Sequence, residues 1–279
     1  MLVMNTIRPL ILPAAWIFAV QPLAAELPTL NKAPFVGLYA GFQNKRIRIT
    51  VSHKGMLLIR PFNDKGNPVI DPIGVKVELG AEEVPANGPT VWRALDVSSI
   101  SSKQPETDDF QKSEITGKIS GGASFAATIE NQRGTITING RITDPGPLTK
   151  NPLRMCIRIV FPDPYPYSKA TTEKGKETFQ EQLEKDRLQL RWSDGSRKKF
   201  NFSESVDAKS KDVNGPGITE AMVEVNAYNN HKFRITAGAN AQMLMRNAAT
   251  GPLRDGFELR WFVPDAAKDP KHQATLTIE

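Results

Sequence analysis

Three histidines, His53, His231 and His272, and one cysteine, Cys156, are the residues of this chain most capable of nucleophilic, acid–base or metal chemistry. Their spacing supports none of it. A zinc site gathers several His, Cys, Asp or Glu ligands at close intervals, as in HExxH or paired CxxC motifs, and no such grouping occurs in the sequence. His53 and His231 fall at expected turns and His272 in a charged segment, so all three read as solvent-exposed. Cys156 shares a strand face with Arg154 and Arg158, a setting that lowers a thiol pKa. A catalytic thiol also needs a base, and no histidine stands near it in the sequence. It reads as a structural cysteine. A G-x-S-x-G nucleophile elbow is absent, as are phosphate and dinucleotide loops.

Paired carboxylates hydrolyse glycosides when they face one another across a cleft. Glu82-Glu83 and Asp108-Asp109 are adjacent in the sequence, so in an extended segment their side chains diverge; they read as solvated loop positions. Asn63-Asp64-Lys65-Gly66-Asn67, with Asp71, places oxygen ligands around a glycine but lacks the alternation and distal glutamate of an EF-hand loop. A hairpin turn explains it. Binding is the better specific idea, because flat aromatic faces give apolar contact to sugar rings. Trp92, Tyr165 and Tyr167 are the candidate ligand-binding residues, whereas Trp192 and Trp261 follow the inward register of their strands. Tyr165 and Tyr167 lie among prolines and equally suit packing between domains. No catalytic residue, metal site or cofactor is expected.

The elements that would carry these residues are short and extended. Ile47, Ile49 and Val51 alternate with Arg46, Arg48 and Thr50, the period of two of a half-buried strand. Similar alternation recurs at 75–79, 135–138, 155–161, 188–192, 200–202 and 257–263. Turn clusters at 63–68, 144–147 and 214–217 separate these runs. One helix is expected over Thr171 to Lys185, where Phe179 and Leu183 share a face and Glu181 and Lys185 form an i,i+4 pair. It follows the run Phe161-Pro162-Asp163-Pro164-Tyr165-Pro166-Tyr167, whose missing amide donors disfavour continued strand pairing.

Two further patterns set organisation and destination. Arg46 to His53 resembles Arg187 to Asp194 step by step, and Leu153 to Asp163 resembles Gly256 to Asp265, both ending in Pro-Asp. The sequence thus predicts a mainly β fold of two tandem, duplicated β-sandwich-like domains. They span 34–168, with a long insert over 62–113, and 187–279, joined by the Pro-rich connector and a linker helix at 169–186. At the N-terminus Arg8 precedes a twelve-residue apolar run, Pro9 to Val20, and Ala25 supplies a small residue before Glu26. This reads as a signal peptide over 1–25, since a membrane span needs about 20 apolar residues.

Composition is consistent with an ordinary folded protein. Of 279 residues 39% are hydrophobic and 24% charged, enough to bury a core without disulfides. Lys and Arg number 36 against 30 Asp and Glu, a net charge of +6; loss of Arg8 with the signal peptide leaves +5. Such a balance favours anionic partners, although the basic residues are dispersed along strands as if on solvated outer faces. Nucleic-acid motifs are absent and nucleic acid is not an expected partner. The expectation is an exported, periplasmic or extracellular, non-catalytic envelope protein acting as a binding or structural/assembly component. Its partner would be an envelope protein or a glycan, and the mature chain would have no transmembrane segment. The alternative is a secreted carbohydrate-binding or carbohydrate-active protein.

Overall fold

The computed structural model describes residues 27–63, 65–67, 74–163, 173–226, 230–238, 240–247, 253–263 and 273–279. The signal-peptide segment 1–25, Tyr165, Tyr167, His272 and most of the proline-rich connector lie outside them. The protein is mainly β, with seventeen antiparallel strands and one α-helix among the described residues.

The first half supplies β1 (Leu38–Gln43), β2 (Ile47–Ser52), β3 (Leu57–Pro61), β4 (Val75–Glu83) and β5 (Val91–Ser102). It continues with β6 (Lys112–Ile119), β7 (Ser124–Gln132), β8 (Thr135–Asp144) and β9 (Leu153–Phe161). Helix α1 (Glu173–Lys185) follows, with Leu183 buried. Next come β10 (Arg187–Trp192), β11 (Arg197–Asn201), β12 (Asn214–Pro216) and β13 (Ile218–Val225). The last strands are β14 (His231–Ala237), β15 (Gln242–Asn247), β16 (Phe257–Phe262) and β17 (Ala274–Ile278). The alternation read from Ile47, Ile49 and Val51 is realised in β2, where all three are buried.

The strands form two layers. One runs β1–β2–β3–β4–β9–β16–β15–β12. The other runs β5–β6–β7–β8–β17–β14–β13–β10–β11. Strand β5 belongs to both, pairing with β4 through Val91–Ala94 and then with β6. Its register breaks between Asp96 and Ser101. There the Ser98 hydroxyl donates to Asp96 Oδ1 (2.7 Å), and Ser99 Oγ accepts from Lys118 N (2.7 Å). A bulge of this kind bends the strand and lets it change layers. The side chains between the layers make one core. Phe161 of β9 stacks on Phe257 at 4.9 Å and meets Phe233 of the opposite layer at 5.7 Å.

The two halves predicted as tandem units are joined in both layers. β9 pairs with β16, and β8 with β17, so ladder hydrogen bonds cross from one half to the other. The sequence match equates Arg158 with Arg260, and these are direct cross-strand partners. Its other pair divides differently: β2 lies in one layer and β10 in the other. The turn expected at 214–217 is instead edge strand β12, where Pro216 is tolerated because its missing donor faces no further strand. The insert over 62–113 closes an edge. Gly41 N donates to Thr107 O (2.8 Å) and Phe110 N to Gly41 O (2.9 Å), so the loop after β5 covers β1.

Candidate functional site

Two places concentrate polar side chains, and they differ in construction. On the outer face of the first layer, Trp92 of β5 stands opposite Glu82 of β4. The six-membered ring of its indole lies against Gly80, where any Cβ would collide with it. The ring is half-buried, and the Arg260 and Arg158 guanidiniums approach its centroid to 5.1 and 5.5 Å. Tyr165 and Tyr167, the other candidate aromatics, lie outside the described residues.

Beneath this tryptophan the charges interlock. Glu82, expected to be a solvated loop residue, is fully buried in β4. The Arg154 guanidinium donates to its Oε2 (2.8 Å) and Arg260 to its Oε1 (3.1 Å). Arg260 also reaches Glu258 (2.6 Å), Glu258 holds Arg158 (2.6 Å), and Arg158 meets Glu78 (3.3 Å). Arg158 and Arg260 would repel as direct cross-strand neighbours, and Glu258 between them offsets this. As the strand register requires, Glu83 points to the opposite face from Glu82. It accepts from Asn151 (2.6 Å) and Arg93 (2.5 Å), hydrogen bonds that hold its carboxyl below the usual range. The expectation that these adjacent carboxylates diverge is met, but they sit in a strand rather than a loop.

Cys156 lies in the same strand row, fully buried. Burial, and then the nearby Glu82, pushes its thiol well above the ordinary value. Arg260 and Arg154 work the other way and are outweighed by burial and the carboxylate. Such a thiol has almost no thiolate at neutral pH.

The second place is a cleft of about 850 Å³ where turns of both halves meet. Lys45 and Arg46 come from the β1–β2 turn, Arg133 from the β7–β8 turn, and Asn230, His231 and Lys232 from the start of β14. The sequence dictates these tips. Asn44 Oδ1 accepts from Arg46 N (2.8 Å) and Ile47 N (2.9 Å), fixing the first turn, and its amide donates to Arg133 O (3.4 Å) in the second. Arg133 and Asn230 adopt left-handed φ values of 56° and 54°. Among the described residues they alone do so without being glycine, and both line this cleft.

His231 departs from the exposed turn position expected of it. It is the first residue of β14, its ring edge-on to Phe233 at 4.6 Å, and its buried Nε2 has no hydrogen-bond partner. Burial, reinforced by the positive charge of Arg46, pushes its pKa down to about 4. Lys45, Arg46 and Arg133 form no ion pair among the described residues, while Lys232 reaches Glu224 at 3.1 Å. Glu279 is the one acid among the described lining residues, and Arg234 engages it at 3.5 Å.

Sequence reasoning passed over these cations because they are far apart in the chain. The available signal was a basic residue at each of three turn tips, Asn44-Lys45-Arg46, Gln132-Arg133-Gly134 and Asn230-His231-Lys232. Only the fold shows that the tips converge. His53 remains in the β2–β3 turn. No group of three or more His, Cys, Asp or Glu side chains suited to a metal occurs among the described residues. No helix among them is long and apolar enough to cross a membrane. No known family model matches the sequence, and no curated protein matches it.

Proposed function

We propose that the chain is an exported, non-catalytic binding or assembly component of the cell envelope, and that the cleft beside His231 is where it meets its partner. The observation that carries the reading is convergence: three turns distant in sequence open into one concave, polar space on a scaffold paired continuously across its halves. Binding residues are commonly displayed on loops held by such rigid β scaffolds. Export is supported by the n-region, apolar run and small-residue pattern over 1–25. The two halves are read as products of a duplication, supported by the Arg158–Arg260 match across the β9–β16 pair, with the strand order rearranged in the second copy.

A photo-crosslinking residue placed at Lys45 tests the reading in cells of the source organism. The expected result is one discrete envelope partner at that position and none when the probe replaces Lys198 on edge strand β11. Equal capture from both positions, or a full-length unprocessed chain in the cytoplasmic fraction, would defeat it.

A glycan-binding role centred on Trp92 is the second reading. It is supported by the ring's place on an outer sheet face beside two guanidiniums. The close fit of the ring onto Gly80 gives Trp92 a packing role as well, which leaves less of it to offer a sugar.

A further inference from the structure

We infer that the cleft recognises an oxyanion-bearing ligand, one that presents phosphate or carboxylate groups to Lys45, Arg46 and Arg133. The inference rests on the cleft being the binding site and adds the chemistry of what binds there.

Three independent observations converge. First, the charge is unbalanced at close range. Several arginines elsewhere are matched: Arg93 with Glu83, Arg154 and Arg260 with Glu82, Arg158 with Glu258, Arg187 with Glu224 and Arg234 with Glu220. Arg141, Arg191 and Arg197 on strands β8, β10 and β11 have no ion pair among the described residues, but none of them lines the cleft. Arg46 and Arg133 differ in standing unmatched together inside one concavity, where the one acid among the described lining residues, Glu279, is already held by Arg234. Concave walls of low dielectric focus the field of such charges on whatever enters. Guanidinium groups suit phosphate and carboxylate in particular, because their planar donors match two oxygens at once.

Second, the backbone is strained where it holds Arg133. A left-handed conformation is disfavoured for a residue with a Cβ, and arginine lacks the short polar side chain that eases it for asparagine. Gly134 follows immediately and also has positive φ, at 111°. A turn that needed only to reverse the chain would be served by glycine at 133 as well. The guanidinium is retained at a conformational cost, as is common where strain serves a site.

Third, the cleft wall keeps a polar atom unsatisfied. His231 Nε2 is buried with no hydrogen-bond partner, and such groups are rare enough to call for an explanation. Its ring edge is fixed by Phe233, so it forms a stiff neutral wall beside the cations rather than a further charge competing with them.

The test is calorimetric titration of the purified protein at low ionic strength with pyrophosphate, citrate and neutral sucrose, together with flotation on phosphatidylcholine vesicles with and without phosphatidylglycerol. Two variants carry it. Arg46→Ala removes one guanidinium, and Arg133→Gly removes the other while relieving its backbone, so a fold defect is not the expected result. Each should weaken anion binding about tenfold, the loss of one charge-assisted contact, with the melting temperature unchanged or raised for Arg133→Gly. Lys199→Ala, on β11 and away from the cleft, should leave binding unchanged.

Soluble anions that bind with this pattern establish a free oxyanion ligand. Flotation on the anionic vesicles alone, lost in both variants, assigns the same chemistry to a lipid headgroup. An equal loss in Lys199→Ala means diffuse surface charge and overturns the inference, as does binding that ignores both arginine variants. Sucrose bound in preference to either anion overturns the oxyanion chemistry but keeps the cleft as the site. If none of the probes binds, the inference falls while the crosslinking test of the cleft stands separately.

Discussion

Around Glu82, arginines and carboxylates from β4, β9 and β16 interlock at 2.6 to 3.3 Å under the indole of Trp92. In the cleft beside His231, arginines and lysines from three turns stand together with almost no carboxylate among them. Both regions bring the two halves of the chain together, and both are rich in guanidinium groups. The first has closed its electrostatic account internally, which makes it part of the architecture. The second leaves it open, which is why we propose it as the binding site. The two regions share a residue type and differ in whether a counter-charge accompanies it.

Removing the counter-charge from the first region should have the largest effect. Glu82→Ala leaves Arg154 and Arg260 facing each other over a buried position. Breaking a buried pair in this way costs about 3–5 kcal/mol, read as a lowered urea midpoint. A variant within 1 kcal/mol of the parent, on the same scale, would show that solvent already screens this network and would erase the contrast.

Trp92→Ala comes next. Truncating a half-buried indole that packs against Gly80 should cost about 2 kcal/mol, below the range for a fully buried tryptophan. The same variant tests the glycan reading, because mobility in polysaccharide gels should shift only if the ring also binds.

Acid should act on the second region through His231. Its folded pKa of about 4 lies below the ordinary 6.5, so the unfolded chain takes up this proton first. Its contribution to stability is therefore complete above pH 6.5 and is lost as pH falls from 6.5 towards 4. Melting temperatures measured across that window should decline in the parent and decline less in His231→Phe. Parallel curves for the two proteins would remove His231 from the account.

The smallest effect sharpens the comparison most. Lys45→Ala and Arg46→Ala should each change stability by less than about 0.5 kcal/mol, because neither side chain has an ion pair among the described residues to lose. Denaturant midpoints that drop as far as that of Glu82→Ala would make the cleft a structural region like the first.

The sequence made the strands legible because a period of two needs only local burial. Ile47, Ile49 and Val51 announce β2, and the helix before Asp186 is recognisable from its composition. Placement of strands in layers was not legible, because pairing partners such as β8 and β17 are chosen by long-range packing. Glu82 was misread for the same reason. A glutamate pair looks solvated until arginines from β9 and β16 arrive to neutralise it. The cleft was illegible because each turn contributes only one or two cations, and single basic turn residues are commonplace.

Strand β17 is seated between β8 and β14, with Thr277 touching Thr137 across 140 positions of sequence. Until residues 274–278 have been synthesised, β8 and β14 each keep a bare edge of amide and carbonyl groups. Pairings of such long span form slowly, and exposed edges recruit other chains. The two halves of this layer therefore join edge to edge only once β17 is in place.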